Sequence, residues 1–255
     1  MTRKKIGVRE LRKGLPGVLE EVQHTGQGVV VMKHKEEVAA LVPVGTLPIS
    51  PLPRIIALAS LKGGVGKTTV TMHLAAVLAD EGHNVVVLDA DEEKSAYRWA
   101  EEASTSQPLN FKVMQANRDS LMRQARELEK AGHVVVIDTP PNNREILRSA
   151  ASVADLVLVP LLPTGMDVDR MATTLILLND IEAIRPNFAY ALLINRYDAR
   201  KRLARETQEE IKNLPRLETY IAALTVYEGA FGKQPTALDA PRAIWQEIKQ
   251  TFGVA

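Results

Sequence analysis

The sequence predicts an α/β fold with a mainly parallel, doubly wound sheet, preceded by a small α+β domain. Three observations lead to this fold class. Short apolar runs alternate with segments of helical periodicity over most of the 255 residues, which is typical of parallel strands covered by helices on both faces. A glycine-rich loop stands between one such run and the following helix, and aspartates close two other runs. Functional groups at the carboxyl ends of parallel strands gather at one edge of a sheet.

Residues 1–42 differ in pattern from the rest and predict a domain of their own. Apolar positions fall near helical spacing over 8–22, but the stretch 14–17, with two glycines and a proline, interrupts a single helix. Strands are expected at 29–32 and 38–42, so the order is strand–helix–helix–hairpin. Basic residues gather at one end of this unit: Arg3, Lys4, Lys5, Arg9, Arg12 and Lys13.

A proline-rich stretch, residues 43–53, predicts a stiff linker to a larger domain at 54–255. In that domain the apolar runs predict strands, and the periodic segments between them predict helices. The expected strands are 55–59, 85–88, 111–114, 134–137, 156–162, 191–194 and 220–224. The expected helices include 70–80, 92–102, 118–131 and a terminal helix that should pack on the core through Ile244, Trp245, Ile248 and Phe252.

The stretch Lys-Gly-Gly-Val-Gly-Lys-Thr-Thr, residues 62–69, follows the first strand of the larger domain and predicts a phosphate-binding P-loop. Its three glycines let the backbone turn N–H groups toward phosphate oxygens. Lys67 would reach the β- and γ-phosphates of a nucleotide, and the Thr68 hydroxyl would bind Mg²⁺. The residues expected to contact the nucleotide are Lys62, Gly63, Gly64, Val65, Gly66, Lys67, Thr68 and Thr69.

Three aspartates follow strands beside this loop. Asp138 closes the run Val-Val-Val-Ile-Asp and suits an acid that orders Mg²⁺ through a water ligand. Asp89 and Asp91 follow another buried run and are expected next to the nucleotide. Aspartates also end strands as turn formers, but three of them beside a phosphate loop favour the chemical role.

The loop departs from the ordinary P-loop pattern, because Leu61 stands where a glycine is usual and a second lysine, Lys62, follows it. In this form it resembles the deviant Walker A motif of the ParA/MinD superfamily of P-loop ATPases. The resemblance extends over about residues 54–250. It implies ATP and Mg²⁺ as cofactors and an ATP-dependent homodimer in which Lys62 reaches the nucleotide of the partner subunit. It also implies that Asp91 orients the attacking water.

Two later segments bear on the same resemblance. Leu-Leu-Ile-Asn-Arg at 192–196 is similar to the segment in which ParA-like proteins place an asparagine against the adenine edge, a role that would fall to Asn195; a loop-capping asparagine is the alternative. The family usually has Pro-Gln after the second aspartate, whereas this chain has Glu92 and Glu93. A basic cluster, which in this family binds DNA without sequence preference and otherwise is a solvated helix face, comprises Arg196, Arg200, Lys201, Arg202 and Arg205.

The order of elements in residues 1–42 resembles the N-terminal domain of Phd/YefM-type antitoxins. The similarity lies in Val-Arg-Glu-Leu-Arg-Lys-Gly-Leu-Pro-Gly-Val-Leu-Glu-Glu-Val at 8–22 and Ala-Ala-Leu-Val-Pro at 39–43. It implies a dimeric module whose basic residues read operator DNA and so regulate the protein's own operon. A dimerisation or docking hairpin is the alternative.

Composition limits the possible functions. Lysine plus arginine (32) nearly balances aspartate plus glutamate (31), so a DNA surface must be a local patch, and the chain has no cysteine. No apolar run approaches the roughly 18 residues of a membrane span, so a cytoplasmic protein is expected. The resemblance to ParA-like proteins implies that it associates with the nucleoid. We interpret the sequence as a ParA-type partition ATPase that hydrolyses ATP slowly and is stimulated by a ParB-like partner. A MinD-like membrane-cycling ATPase and an ATP-controlled transcriptional repressor are the alternatives.

Overall fold

A computed structural model describes residues 4–34, 36–41, 52–105, 107–185 and 188–251 of the chain. Four features predicted from the sequence lie outside these ranges: Arg3, position 42 at the end of the strand expected at 38–42, positions 43–51 of the expected linker, and Phe252. The chain divides into two compact units between positions 51 and 52.

The first unit consists of β1 Lys4–Gly7, α1 Val8–Thr25, β2 Val29–Lys33 and β3 Glu36–Leu41. Strand β2 is central and pairs parallel with β1 and antiparallel with β3. Helix α1 is bent where Gly14 leaves helical dihedral angles (φ −119°, ψ 17°), two residues before Pro16, so the predicted interruption is a kink. A small apolar core joins the helix to the sheet: Ile6, Val18, Val22, Val29 and Val31.

The second unit is built on six strands: β4 Ile55–Leu58, β5 Val85–Asp89, β6 Lys112–Gln115, β7 Val134–Asp138, β8 Leu156–Leu161 and β9 Ala189–Ile194. All are parallel, in the order β6-β5-β7-β4-β8-β9, which confirms the predicted sheet. Every residue of β4, β5 and β7 is buried, and this explains why their sequences are unbroken apolar runs. Asp138 pairs in register with both Leu58 and Asp89, so three strands end side by side.

The helices of the second unit are α2 Lys67–Asp80, α3 Ser95–Ala103, α4 Arg118–Lys130, α5 Arg144–Val153, α6 Gly165–Glu182, α7 Arg202–Glu210, α8 Thr225–Glu228 and α9 Asp239–Thr251. Helix α2 begins directly after the phosphate loop and is buried along most of its length. In α9 the side chains of Ile244, Trp245 and Ile248 are buried, so the prediction that this helix packs on the core is confirmed.

Two expected elements differ in the structure. The helix predicted at 92–102 begins only at Ser95, because Lys94 adopts a left-handed conformation (φ 56°) that a helix cannot include. The prediction of a strand at 220–224 was wrong. The segment instead forms an isolated parallel β-bridge, between Ala222 and Tyr197. Its backbone hydrogen bonds go to Ile194, the last residue of β9, and to Tyr197, which lies beyond the end of that strand.

Candidate phosphate-loop site

The phosphate loop crosses the carboxyl edge of the sheet between β4 and α2. Gly64 and Gly66 have left-handed φ angles of 75° and 87°, which glycine adopts at no steric cost. Val65 between them is buried and anchors the loop. The N-cap residue Gly66 makes no side-chain cap hydrogen bond within the described residues, and the first N–H groups of α2 point toward the loop, an arrangement that suits an anion.

Lys67 is the first residue of α2, and its side chain folds back under the loop. It is 7% exposed, and its Nζ donates to the carbonyl oxygen of Lys62 at 3.2 Å. Burial lowers the pKa of Lys67, while the carboxylates of Asp138 and Asp91 act in the opposite direction. A buried cation close to two acids and held by one backbone carbonyl is placed to exchange that carbonyl for a phosphate oxygen.

Thr68 and Asp138 form the shortest contact of the site, because Thr68 Oγ1 donates to Asp138 Oδ2 at 2.6 Å. Thr71 donates to the other carboxylate oxygen at 3.4 Å. The pKa of Asp138 is raised to about 7, chiefly by burial and in part by the neighbouring Asp89, while the hydrogen bond from Thr68 acts in the opposite direction. Carboxylate and hydroxyl oxygens are ligands that Mg²⁺ takes, and a cation would offset this buried negative charge. Thr68 and Asp138 therefore fit the metal role predicted for them.

Asp89 is the last residue of β5 and Asp91 lies on the β5–α3 connection, and the two have different surroundings. Asp89 is buried, and its two oxygens accept from the backbone N–H groups of Asp91 (3.0 Å) and Tyr97 (2.8 Å). Burial raises the pKa of Asp89, although these bonds lower it. Its contacts fix the start of α3 and orient the loop that carries Asp91. Asp91 is partly exposed, with one oxygen accepting from Glu93 N at 3.0 Å.

Asn195 follows β9 and joins this strand to the phosphate loop. Its Nδ2 donates to the Val65 carbonyl oxygen at 2.8 Å, and its Oδ1 accepts from Arg196 N at 2.9 Å. A Cβ on Gly66 would lie 2.3 Å from Asn195 Nδ2. Asn195 therefore braces the loop, and it lines the cavity described next; its contact with the adenine edge stays a prediction.

A cavity of about 400 Å³ lies beside Gly66 and Thr69. Its far wall is aromatic and comes from three separate segments: His73 of α2, Trp99 of α3, and Tyr227 and Phe231 of the chain before α9. Sequence reasoning missed these residues. His73 lies four and seven positions after Thr69 and Gly66, so helical spacing from the loop would have marked it.

The predicted basic residues are exposed where they are described. In the cluster after β9, Arg200 pairs with Asp198 at 2.9 Å and Arg202 with Glu206 at 3.0 Å, and Arg205 donates to the carbonyl oxygen of Ala199. Two acids thus offset part of the five positive charges. In the first unit, Lys4 pairs with Glu21, and the remaining basic side chains are exposed on β1 and on α1 before its kink: Lys5, Arg9, Arg12 and Lys13.

Most of the second unit matches the model of a known protein family. Residues 53–232 match the model of the VirC1 protein family. The chain is 33% identical over 189 residues to the maintenance of carboxysome distribution protein A of Gloeobacter kilaueensis, covering 72% of this chain and 83% of that protein. It is 28% identical over 190 residues to the chromosome-partitioning ATPase Soj of Thermus thermophilus, covering 62% and 76%.

Among solved structures, the cell division ATPase MinD of Pyrococcus furiosus has the same fold. The TM-score is 0.64 at 20% sequence identity, and the match covers 78% of this chain and 99% of that chain. The predicted P-loop α/β fold is thereby confirmed.

Proposed function

Because this chain belongs to the VirC1 protein family, among the P-loop ATPases of the ParA/MinD type, we propose that it is a partition ATPase that binds ATP with Mg²⁺ and hydrolyses it slowly. One observation carries the proposal. The Thr68 hydroxyl and the Asp138 carboxylate meet at 2.6 Å, directly beside a buried Lys67 and a loop whose Gly64 and Gly66 have left-handed φ angles.

The residues of the site have separate roles in this proposal. The loop N–H groups and Lys67 bind and orient the phosphates, and Thr68 with Asp138 would hold Mg²⁺. When bound, Mg²⁺ neutralises charge on the β- and γ-phosphates. Asp91, partly exposed at the same edge, orients the attacking water, and Asp89 keeps the loop of Asp91 in place through its two backbone hydrogen bonds.

The test uses two variants and two matched controls. Lys67→Ala should abolish ATP binding, whereas Asp91→Ala should retain ATP and lose turnover, with the wild type turning over at roughly 10⁻⁴–10⁻² s⁻¹. Lys130→Ala and Asp180→Ala, at exposed positions of α4 and α6, should behave as wild type. Calorimetry measures binding and phosphate release measures turnover. ATP binding by Lys67→Ala at the wild-type Kd would overturn the proposal.

We also propose that ATP drives homodimerisation and that Lys62 acts across the dimer. Two nucleotide-bearing faces repel each other unless cations cross between them. Lys62 lies at the start of the glycine loop, and its carbonyl oxygen accepts a hydrogen bond from Lys67 Nζ at 3.2 Å. Lys62→Ala should stay monomeric with ATP in multi-angle light scattering, and an unchanged ATP-dependent dimer would remove the role in trans.

We propose that the protein binds DNA in the cytoplasm, in association with the nucleoid. The basic cluster after β9 supports nonspecific binding to phosphates. It is modest in one subunit because Asp198 and Glu206 pair within it, so binding should need the ATP-loaded dimer. Replacing Arg200, Lys201 and Arg202 together should flatten the slope of log affinity against log salt, by about one unit for each DNA phosphate that is no longer neutralised. Unchanged affinity and slope would return the cluster to a solvated helix face.

A ParB-like protein is the proposed partner that stimulates hydrolysis. A repeated DNA site next to the gene, bound by the product of a neighbouring gene, is the expected finding. The 33% identity to a carboxysome distribution protein favours a second candidate function, the positioning of a protein assembly. Under that function the neighbouring product would bind a protein assembly instead of a repeated DNA site.

The MinD-like alternative, cycling on a membrane, has less support in the contacts of α9. The apolar side of that helix is already buried through Ile244, Trp245 and Ile248. Within the described residues, no helix has both the length and the apolar character needed to cross a membrane. Binding to anionic vesicles that requires ATP would revive this alternative.

A further inference from the structure

His73 has a ring nitrogen that none of its described neighbours satisfies. The side chain is 1% exposed, and among the described residues Nε2 has no hydrogen-bond partner. Buried polar atoms in folded proteins are almost always paired, so such an atom calls for an explanation.

The protonation of the ring follows from its other nitrogen. Nδ1 lies 2.8 Å from the carbonyl oxygen of Thr69, which can only accept, so Nδ1 carries the proton. Burial lowers the pKa of His73, against the bond to Thr69, which raises it. The ring is therefore neutral near pH 7, and Nε2 presents a bare lone pair. It requires a donor.

The cavity beside the phosphate loop can supply that donor. Gly66, Thr69, Val70 and His73 line it along one face of α2, and seven residues of helix span about 10 Å. A ligand whose phosphates lie at the loop would thus bring its far end to His73. The imidazole also meets Trp99 and Tyr227 edge to face, with ring centroids 6.1 and 5.0 Å away.

The walls around His73 suit a flat base better than a ribose. Trp99, Tyr227 and Phe231 offer apolar rings to the cavity, and such rings stack on a planar π-system. Trp99 has its indole N–H already occupied by the carbonyl oxygen of Lys233 at 2.7 Å. Ribose hydroxyls placed against these rings would lose hydrogen bonds to water without replacement.

We propose that His73 is a specificity-determining residue of the nucleotide site, and that its Nε2 accepts a hydrogen bond from the 6-amino group of the purine. The assignment rests on the proposed ATPase function. A 6-amino purine places a donor at the lone pair of Nε2, whereas a 6-oxo purine places an acceptor there and leaves two lone pairs facing each other. His73 thus selects adenine over guanine or hypoxanthine.

The test compares the affinities of three proteins for three nucleotides. Calorimetry with Mg²⁺ measures Kd for ATP, for the triphosphate of purine riboside, which has hydrogen in place of the amine, and for inosine triphosphate. The proteins are wild type, His73→Phe, which keeps an aromatic ring and lacks the acceptor, and His133→Phe. His133 is the matched control, because its Nδ1 is also buried without a described partner and the residue lies at the other end of the sheet, just before β7.

The wild type should prefer ATP over purine riboside triphosphate by roughly three- to tenfold, and over inosine triphosphate by more. His73→Phe should bind the three within about twofold of one another, and His133→Phe should retain the wild-type preference. Should His73→Phe fail to fold, as judged by circular dichroism, His73→Leu takes its place because it too lacks an acceptor.

Three results would overturn the assignment. The first is equal wild-type affinity for ATP and purine riboside triphosphate, and the second is an unchanged preference in the His73 variant. The third is a variant that loses affinity for ATP but not for 2′-deoxy-ATP or 3′-deoxy-ATP, because Nε2 would then contact a ribose hydroxyl. These outcomes differ from failure of the proposed function. In that case ATP binding would be indifferent to Lys67→Ala as well.

Discussion

Gly66 is the residue at which the phosphate loop allows the least change. Its φ of 87° excludes most side chains, and a Cβ would also lie 2.3 Å from Asn195 Nδ2. The two obstacles can be separated within this chain, because Gly82 has the same φ of 87° and, in the described residues, no atom within 4 Å of its Cβ position.

Gly66→Ala should therefore cost more than Gly82→Ala. The left-handed conformation alone costs about 1–2 kcal/mol, and displacing Asn195 from Val65 adds about 1 kcal/mol. Urea unfolding measures both variants, and ATP binding should be lost only in Gly66→Ala. Equal destabilisation with intact ATP binding would mean that Asn195 does not brace the loop.

His73 also makes stability depend on pH. Its folded pKa is lowered from about 6.5, so below that pH the unfolded chain takes up a proton that the folded ring refuses, and stability is lost as pH falls. Tyr227, which contacts the ring, has a raised pKa and does not titrate in this range.

Between pH 7.5 and 5.5 the wild type should lose about 1 kcal/mol more free energy of unfolding than His73→Phe. Urea unfolding at the two pH values measures the difference. Parallel losses in the two proteins would show that the imidazole becomes protonated without unfolding.

At the scale of elements, the second unit depends on how α9 attaches to α2. Glu81 is the C-cap residue directly after α2, and its carboxylate accepts from Trp245 Nε1 at 2.8 Å and from Lys249 Nζ at 3.0 Å. Trp245 is 1% exposed, so its indole N–H would have no replacement partner if the carboxylate were removed.

Glu81→Ala should lower the free energy of unfolding by about 1–3 kcal/mol, and Glu81→Gln by less, because an amide oxygen still accepts from Trp245. The matched control is Asp80→Ala, which removes two exposed contacts, with Arg242 at 3.3 Å and with Asn110 Nδ2 at 2.9 Å, each worth at most about 1 kcal/mol. Chemical unfolding followed by circular dichroism measures all three. A larger effect at Asp80 would place the attachment elsewhere.

The bounds of the buried strands could be predicted closely from the sequence, whereas the start of α3 and the structure of 220–224 could not. Burial on both faces leaves a continuous apolar run, so 85–88 and 134–137 come within one residue of β5 and β7. The start of α3 depends on the left-handed Lys94, and 220–224 is apolar because it covers a cavity rather than because it joins the sheet.

The residues of the site also fall into those that the sequence predicted and those that it did not. The loop 62–69, with Asp89 and Asp138, could be located from the sequence, because local motifs and strand ends place them. The rest of the cavity wall could not: helical spacing from the loop marks His73, but Trp99 and Tyr227 come from distant segments that only the fold brings beside it. That Nε2 of His73 lacks a partner among the described residues is a property of the folded molecule alone.

At the scale of the whole molecule, the chain consists of two units, each with a core of its own. We expect them to function separately, with the first unit reading operator DNA. Deleting residues 1–51 should spare ATP hydrolysis and ATP-dependent nonspecific DNA binding, because the phosphate loop and the residues around it all belong to the second unit.

The same deletion should abolish DNase I footprinting on the promoter upstream of the gene. The control is full-length protein in which Arg9, Arg12 and Lys13, all exposed on α1, are replaced by alanine; it should lose the footprint and keep hydrolysis. Continued protection of the promoter by the truncated protein would make the first unit a docking or dimerisation element.

The aromatic wall of the cavity also makes the protein its own optical reporter. The chain contains two tryptophans. Trp99 lines the cavity. Trp245 is hydrogen-bonded to Glu81 and is not among the described residues that line the cavity. A purine stacked near Trp99 should quench its fluorescence and leave the emission of Trp245 as a constant background. Nucleotide arrival and departure can then be followed in real time on the unlabelled wild-type chain.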